Sequence, residues 1–133
     1  MASGRVTIFI IDDDASVRRA LGRVMAYAGF DWKSFGCVED FLAAIGPDDT
    51  GCIIVDLIRP GLDSSDLKKQ LDAANLRLPL IILTANDTEE AQAAAREAGA
   101  VAYFRKPVDS NALLDAVRWA TLSPSRKNAH ESL

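Results

Sequence analysis

The chain has two cysteines, one histidine, no excess of positive charge and no apolar run near the length of a membrane span. Each shortage excludes something. Cys37 and Cys52 lie apart, without the paired spacing of a metal site, so both read as reduced, buried or half-buried thiols. His130 stands in a polar C-terminal stretch and reads as solvated. Crossing a bilayer takes roughly 20 apolar residues, and no run here approaches that, so no membrane association is expected. Met1 to Arg5 leads into a short apolar stretch cut off by three aspartates, unlike a signal peptide, and a cytoplasmic protein is expected. A domain that grips the phosphates of DNA or RNA is usually basic on one face, and with a formal net charge of −4 direct nucleic-acid binding is not expected.

What is present is an ordinary globular composition, 49% hydrophobic and 26% charged over 133 residues, enough for one domain. Residues Val6 to Ile11 (VTIFII), Gly51 to Asp56 (GCIIVD) and Pro79 to Thr84 (PLIILT) are continuous β-rich runs, the pattern of strands buried on both faces of a parallel sheet. Phe30 to Phe35 and Val101 to Phe104 read as weaker strands. Between them, apolar spacings of three and four predict helices over Ala15 to Ala28, Val38 to Ile45 and Asp87 to Ala98. Two further helices are predicted, one from a cap at Asp63 or Ser64 to about Asn75, the other from Ser110 to about Leu122. Gly29 and Gly99 stand where left-handed helix caps fall, and Asp14 reads as the cap of the first helix.

Strand and helix alternate five times, which predicts an α/β fold, a parallel sheet with helices on both faces. The domain is expected over 5–122, with 123–133 a disordered tail or the start of a linker.

Open sheets of this kind bind ligands beyond the carboxyl ends of their strands. The first strand ends in Asp12-Asp13-Asp14, the next buried run in Asp56 and the third in Thr84, while Lys106-Pro107 follows the last strand. Carboxylates crowded on one edge repel one another unless a cation sits among them, and an oxygen-only donor set suits Mg²⁺. One carboxylate then serves as a nucleophile toward phosphorus. The metal and Lys106 neutralise the phosphoryl oxygens, and Thr84 donates a hydrogen bond to one of them. Singly, each of these residues reads as a cap, a loop hydroxyl or a surface cation; as an ordered set they point to phosphoryl transfer.

The segments IIDDDASVRRAL, IIVDLIRPGL, IILTAND and EAGAVAYFRKPV resemble the successive signatures of response-regulator receiver domains of two-component systems, most closely those of the FixJ/NarL type. The resemblance runs from about Val6 to Leu122. It implies a flavodoxin-like (βα)5 doubly wound sheet of order 2-1-3-4-5. It implies that Asp56 accepts a phosphoryl group from a sensor histidine kinase and that the domain is not a turnover enzyme. Asp13 would bind Mg²⁺ directly, Asp12 mainly through water, and the Ile58 backbone carbonyl would complete the protein ligands beside Asp56. Lys106 would contact the phosphoryl group, Thr84 and Tyr103 would form the switch pair, and the bond before Pro107 would be cis. The fourth helix, fifth strand and fifth helix would form the output face, a possible homodimer surface controlling transcription. Trp119 would lie near that face or in the core.

Three features depart from the family pattern. Ser64 replaces the common glycine four residues after the loop proline, and Arg59 replaces the common methionine. Ile58 and Asn86 stand where side chains flank the hydrolytic water, and an apolar Ile58 predicts a slow-to-moderate loss of phosphate. The helix over Asp87 to Ala98 offers mainly alanines to the core, so it is easily shifted, although alanines also simply favour helix. Two rival readings exist. Asp12 to Ser16 can be read as the nucleophile motif of a haloacid-dehalogenase-type phosphohydrolase, but that family needs acidic ligands after the lysine and only Asp109 follows closely. A receiver-like binding module that signals without phosphorylation usually lacks the acceptor, an acidic-pair member or the lysine, all present here.

Overall fold

Strands β1 (Val6–Ile11), β2 (Asp31–Phe35), β3 (Thr50–Asp56), β4 (Leu80–Thr84) and β5 (Ala102–Arg105) form one sheet, every neighbouring pair parallel, in the order β2-β1-β3-β4-β5. Helices α1 (Ala15–Tyr27), α2 (Val38–Ala44), α3 (Ser64–Ala73), α4 (Glu89–Glu97) and α5 (Ser110–Leu122) alternate with them. This is the doubly wound, flavodoxin-like arrangement expected from the sequence. The computed structural model describes residues 6–46, 48–56 and 64–122, the side chains of 64–68 excepted.

The two-residue period of each strand divides the core. Ile8, Ile10, Cys52, Ile54, Ile81 and Leu83 pack with α1 and α5 residues such as Leu21, Met25, Leu113 and Val117. Phe9, Ile11, Ile53, Val55 and Ile82 face the other way, toward Val38, Phe41, Leu71 and Ala95. Phe41 is fully buried and meets the rings of Phe9 and Phe35 edge-on, at 5.4 and 5.6 Å. Because β1, β3 and β4 are covered on both faces, they read as unbroken apolar runs.

Local signals set the helix ends. The Asp14 carboxylate accepts the Ser16 and Val17 amides and caps α1. Gly29 (φ 92) and Gly99 (φ 78) take the left-handed conformation just beyond α1 and α4. Gly22 does something else: a Cβ there would come within 2.5 Å of the Trp32 ring, so its bareness lets β2's tryptophan pack on α1. Helix α4 starts at Glu89, two residues later than the sequence suggests, because the Thr88 hydroxyl caps it by accepting the Ala91 amide. Strand β5 lies one residue further on than expected, with Thr84 paired to Arg105. The proposed caps Asp63 and Ser64 fall outside the described side chains.

Candidate functional site

Strand β1 is in register with β3 so that Ile11 neighbours Val55, and one step further Asp12 comes beside Asp56. Next along the sheet, Asp56 pairs with Leu83, so Thr84 stands just past it at the end of β4. The Lys106 amide donates to the Thr84 carbonyl at 2.7 Å, which brings the segment after β5 to the same edge. The Lys106–Pro107 peptide is cis, as expected. Four strands therefore deliver their end residues to one crevice.

Within it, Lys106 Nζ donates to Asp56 Oδ2 and stands 3.7 Å from Asp12 Oδ2. The two carboxylates are almost wholly shielded from solvent, at 0% and 1% side-chain exposure for Asp12 and Asp56, against 21% for Lys106. Thr84 is buried as well. Burial, followed by the adjoining Asp12, raises the Asp56 carboxyl from an ordinary 3.8 to about 7, with Lys106 opposing the rise. Asp12 Oδ2 and Asp56 Oδ1 are buried and have no hydrogen-bond partner among the described residues. Oxygen atoms in that condition are rare in folded proteins, because each forfeits its hydration without replacement. Two such oxygens on neighbouring strand ends are atoms that could hold a hard cation.

Asp13, the next residue, is exposed. Among the described residues, no three His, Cys, Asp or Glu side chains gather as a ready metal cluster. The Ile58 carbonyl, together with Arg59, lies outside the described residues. The Cys52 thiol is pushed up to about 12 by burial and offers no nucleophile.

Both residues expected to form a switch are engaged with the segment after β4 and not with Asp12 or Asp56. The Thr84 hydroxyl donates to the Asn86 carbonyl and accepts the Asn86 amide, each at 3.1 Å. Tyr103 donates its hydroxyl to Asp87 Oδ1 at 2.8 Å, and Gln92 donates to the same oxygen at 2.9 Å. These bonds, Gln92's first, hold the Asp87 carboxyl below its ordinary value, while burial and then Asp87 raise Tyr103 to about 12. The loop between β4 and α4 thus holds both members. Trp119 is half exposed on α5 and not part of the core.

One contact was not legible in the sequence: Arg18 of α1 donates to the Asp12 backbone carbonyl at 2.6 Å. The two arginines of DASVRRAL read equally as solvated charges; only the helix phase relative to β1 separates Arg18 from Arg19.

Comparison with known proteins gives a consistent answer. Over 120 residues the chain is 33% identical to Nodulation protein W of Bradyrhizobium diazoefficiens, covering 90% of this chain and 53% of that protein. It is 33% identical over 106 residues to the transcriptional regulatory protein FixJ of the same organism, covering 80% of this chain and 52% of FixJ. The structure of full-length FixJ from B. japonicum superposes with a TM-score of 0.80 at 31% identity, over 92% of this chain and 61% of that one. The chain thus spans about half the length of these curated relatives. No helix among the described residues is long and apolar enough to cross a membrane. Residues 8–118 match the response regulator receiver domain, and with the strand order and the clustered strand ends this shows that the chain belongs to that family.

Proposed function

We propose that this receiver domain is a phosphoacceptor: a sensor histidine kinase donates a phosphoryl group to Asp56, and the change passes through Thr84 and Tyr103 to the α4-β5-α5 face. The observation that carries the reading is the pair of buried carboxylates of Asp12 and Asp56 at one lysine, each keeping one oxygen without a hydrogen bond among the described residues. That donor set fits Mg²⁺, with Asp12, Asp13 and Asp56 as its carboxylates and the Ile58 carbonyl as a further oxygen. Bound Mg²⁺ would offset the carboxylate crowding and favour the ionised Asp56.

An Asp56 oxygen attacks phosphorus, the phosphorus–nitrogen bond to the kinase histidine breaks, and the imidazole leaves. Lys106 passes from the Asp56 carboxylate to the new phosphoryl oxygens. Thr84 donates to another of these oxygens and leaves Asn86. Its movement disturbs the loop that carries Asp87 and frees Tyr103 to turn inward. The output is control of transcription, as the names of the relatives suggest, with a homodimer through α4-β5-α5 and a cytoplasmic location. Ile58 and Asn86 set how fast water removes the phosphate.

The domain is modified once and does not turn over. The phosphohydrolase reading is weakened by Asp109, the acidic residue that follows the lysine closely, which is exposed and caps α5 by accepting the Ala112 amide at 3.0 Å. A phosphorylation-independent module would have no use for the retained acceptor, acidic pair and lysine. Incubation with acetyl phosphate, with and without Mg²⁺, followed by intact mass, tests the proposal. One phosphoryl adduct, dependent on Mg²⁺ and absent in Asp56→Asn, is expected. Repeated turnover of a generic phosphate ester, or no adduct, would refute it.

A further inference from the structure

Asp12 is fixed at three points. Its amide donates to the Phe35 carbonyl at 3.0 Å, and its Oδ1 accepts the Asp14 amide at 2.9 Å. Its carbonyl accepts Arg18 Nη1 at 2.6 Å, a short bond to a charged donor and therefore a strong one. Arg18 reaches this carbonyl from the first turn of α1 and also lies against Gly36 in the turn after β2, where an added Cβ would stand 3.6 Å from Nη1.

The carbonyl of Asp12 and the amide of Asp13 share one rigid plane. Whatever holds that oxygen sets the direction in which the chain leaves β1, and so where the Asp13 carboxylate can reach. Among the described residues, Asp12 Oδ2 makes no hydrogen bond and stands 3.7 Å from Lys106 Nζ. We infer that Arg18 is a positioning residue for the acidic pair, acting through the Asp12–Asp13 peptide and not through its charge. The inference rests on the proposed role of Asp12, Asp13 and Asp56 in holding Mg²⁺.

Charge and position make opposite demands here. A guanidinium beside carboxylates repels a divalent cation, so if charge were all that mattered, removing it would tighten Mg²⁺ binding. If Arg18 positions the pair, removing it weakens binding, and supporting contacts of this kind typically contribute about 10–100-fold in metal affinity.

The test is calorimetric titration of the full chain with MgCl₂ for wild type, Arg18→Ala, Arg18→Lys and Leu21→Ala, with thermal melts in parallel. Arg18→Ala is expected to raise the Kd about tenfold or more. Arg18→Lys, which keeps a donor, should recover most of that loss. Leu21→Ala, which loosens α1 without touching the Asp12 carbonyl, should lower the Tm and leave the Kd unchanged. Arg18→Gln replaces the alanine variant if that one does not fold. Unchanged or tighter binding in Arg18→Ala, a lysine variant as weak as the alanine one, or an equal loss in Leu21→Ala would each overturn the inference. A wild-type chain that binds no Mg²⁺ would instead refute the proposed function.

Discussion

The last four residues of β1 and the last five of β3 are buried without exception, whereas β5 has no fully buried residue and α4 buries Ala95 alone along its length. The first region carries Asp12 and Asp56; the second carries Tyr103 and Gln92. Large branched side chains interlock on both faces behind the carboxylates, and such packing resists displacement. Alanine removes little apolar area from water, at roughly 25 cal/mol per Å², so burial anchors α4 less than it anchors β1 and β3. One sheet thus joins a densely packed pair of strands ending in carboxylates to a more lightly buried strand and helix. The β4–α4 loop connects them, holding Thr84 through Asn86 and Tyr103 through Asp87.

The packing contrast can be broken most forcefully in the core. Ile54→Ala is expected to cost about 2–5 kcal/mol, whereas Ala95→Gly in α4 should cost about 1 kcal/mol. Paired urea denaturation measures both, and equal losses would remove the contrast.

Next comes the strain of the receptor itself. Burial and the adjoining Asp12 push the Asp56 carboxyl up from an ordinary 3.8 to about 7, so the folded protein holds this proton more tightly. Its stabilising contribution is complete below about pH 4 and is lost as pH rises through about 7. In Mg²⁺-free buffer, Asp56→Asn should therefore melt close to wild type at acid pH and a few degrees above it, on the order of 1–2 kcal/mol, beyond pH 7. A flat or reversed gap in Tm would show that the pocket is not charge-strained.

The smallest expected effect is at the reporting end. With Tyr27→Phe as background, Tyr103 is the only tyrosine left, and its hydroxyl can be followed by ultraviolet titration. Asp87→Ala should bring it down from about 12, with burial still holding it above its ordinary value. No change would mean that Asp87 does not restrain Tyr103 in solution.

The same contrast explains what the sequence made legible. Strands β1, β3 and β4 announce themselves because burial on both faces fills their middles with apolar residues. Their terminal Asp12, Asp56 and Thr84 stand out as the places where the runs stop. Lys106 joins them through chain order alone. The half-buried β5 and the alanine helix α4 carry weaker patterns, so their limits shift by one or two residues when Thr88 takes the cap and Arg105 pairs with Thr84. Arg18 and Asp87 act through single oxygens across elements, and no periodicity encodes such contacts.

The central claim is tested most directly by locating the phosphoryl group. Borohydride reduction of the acetyl phosphate-treated protein converts an aspartyl phosphate to homoserine, and peptide mass spectrometry reads its position. The account predicts reduction at Asp56 alone and only when Mg²⁺ was present. Reduction at Asp12, as the phosphohydrolase reading requires, or at no aspartate, would contradict it.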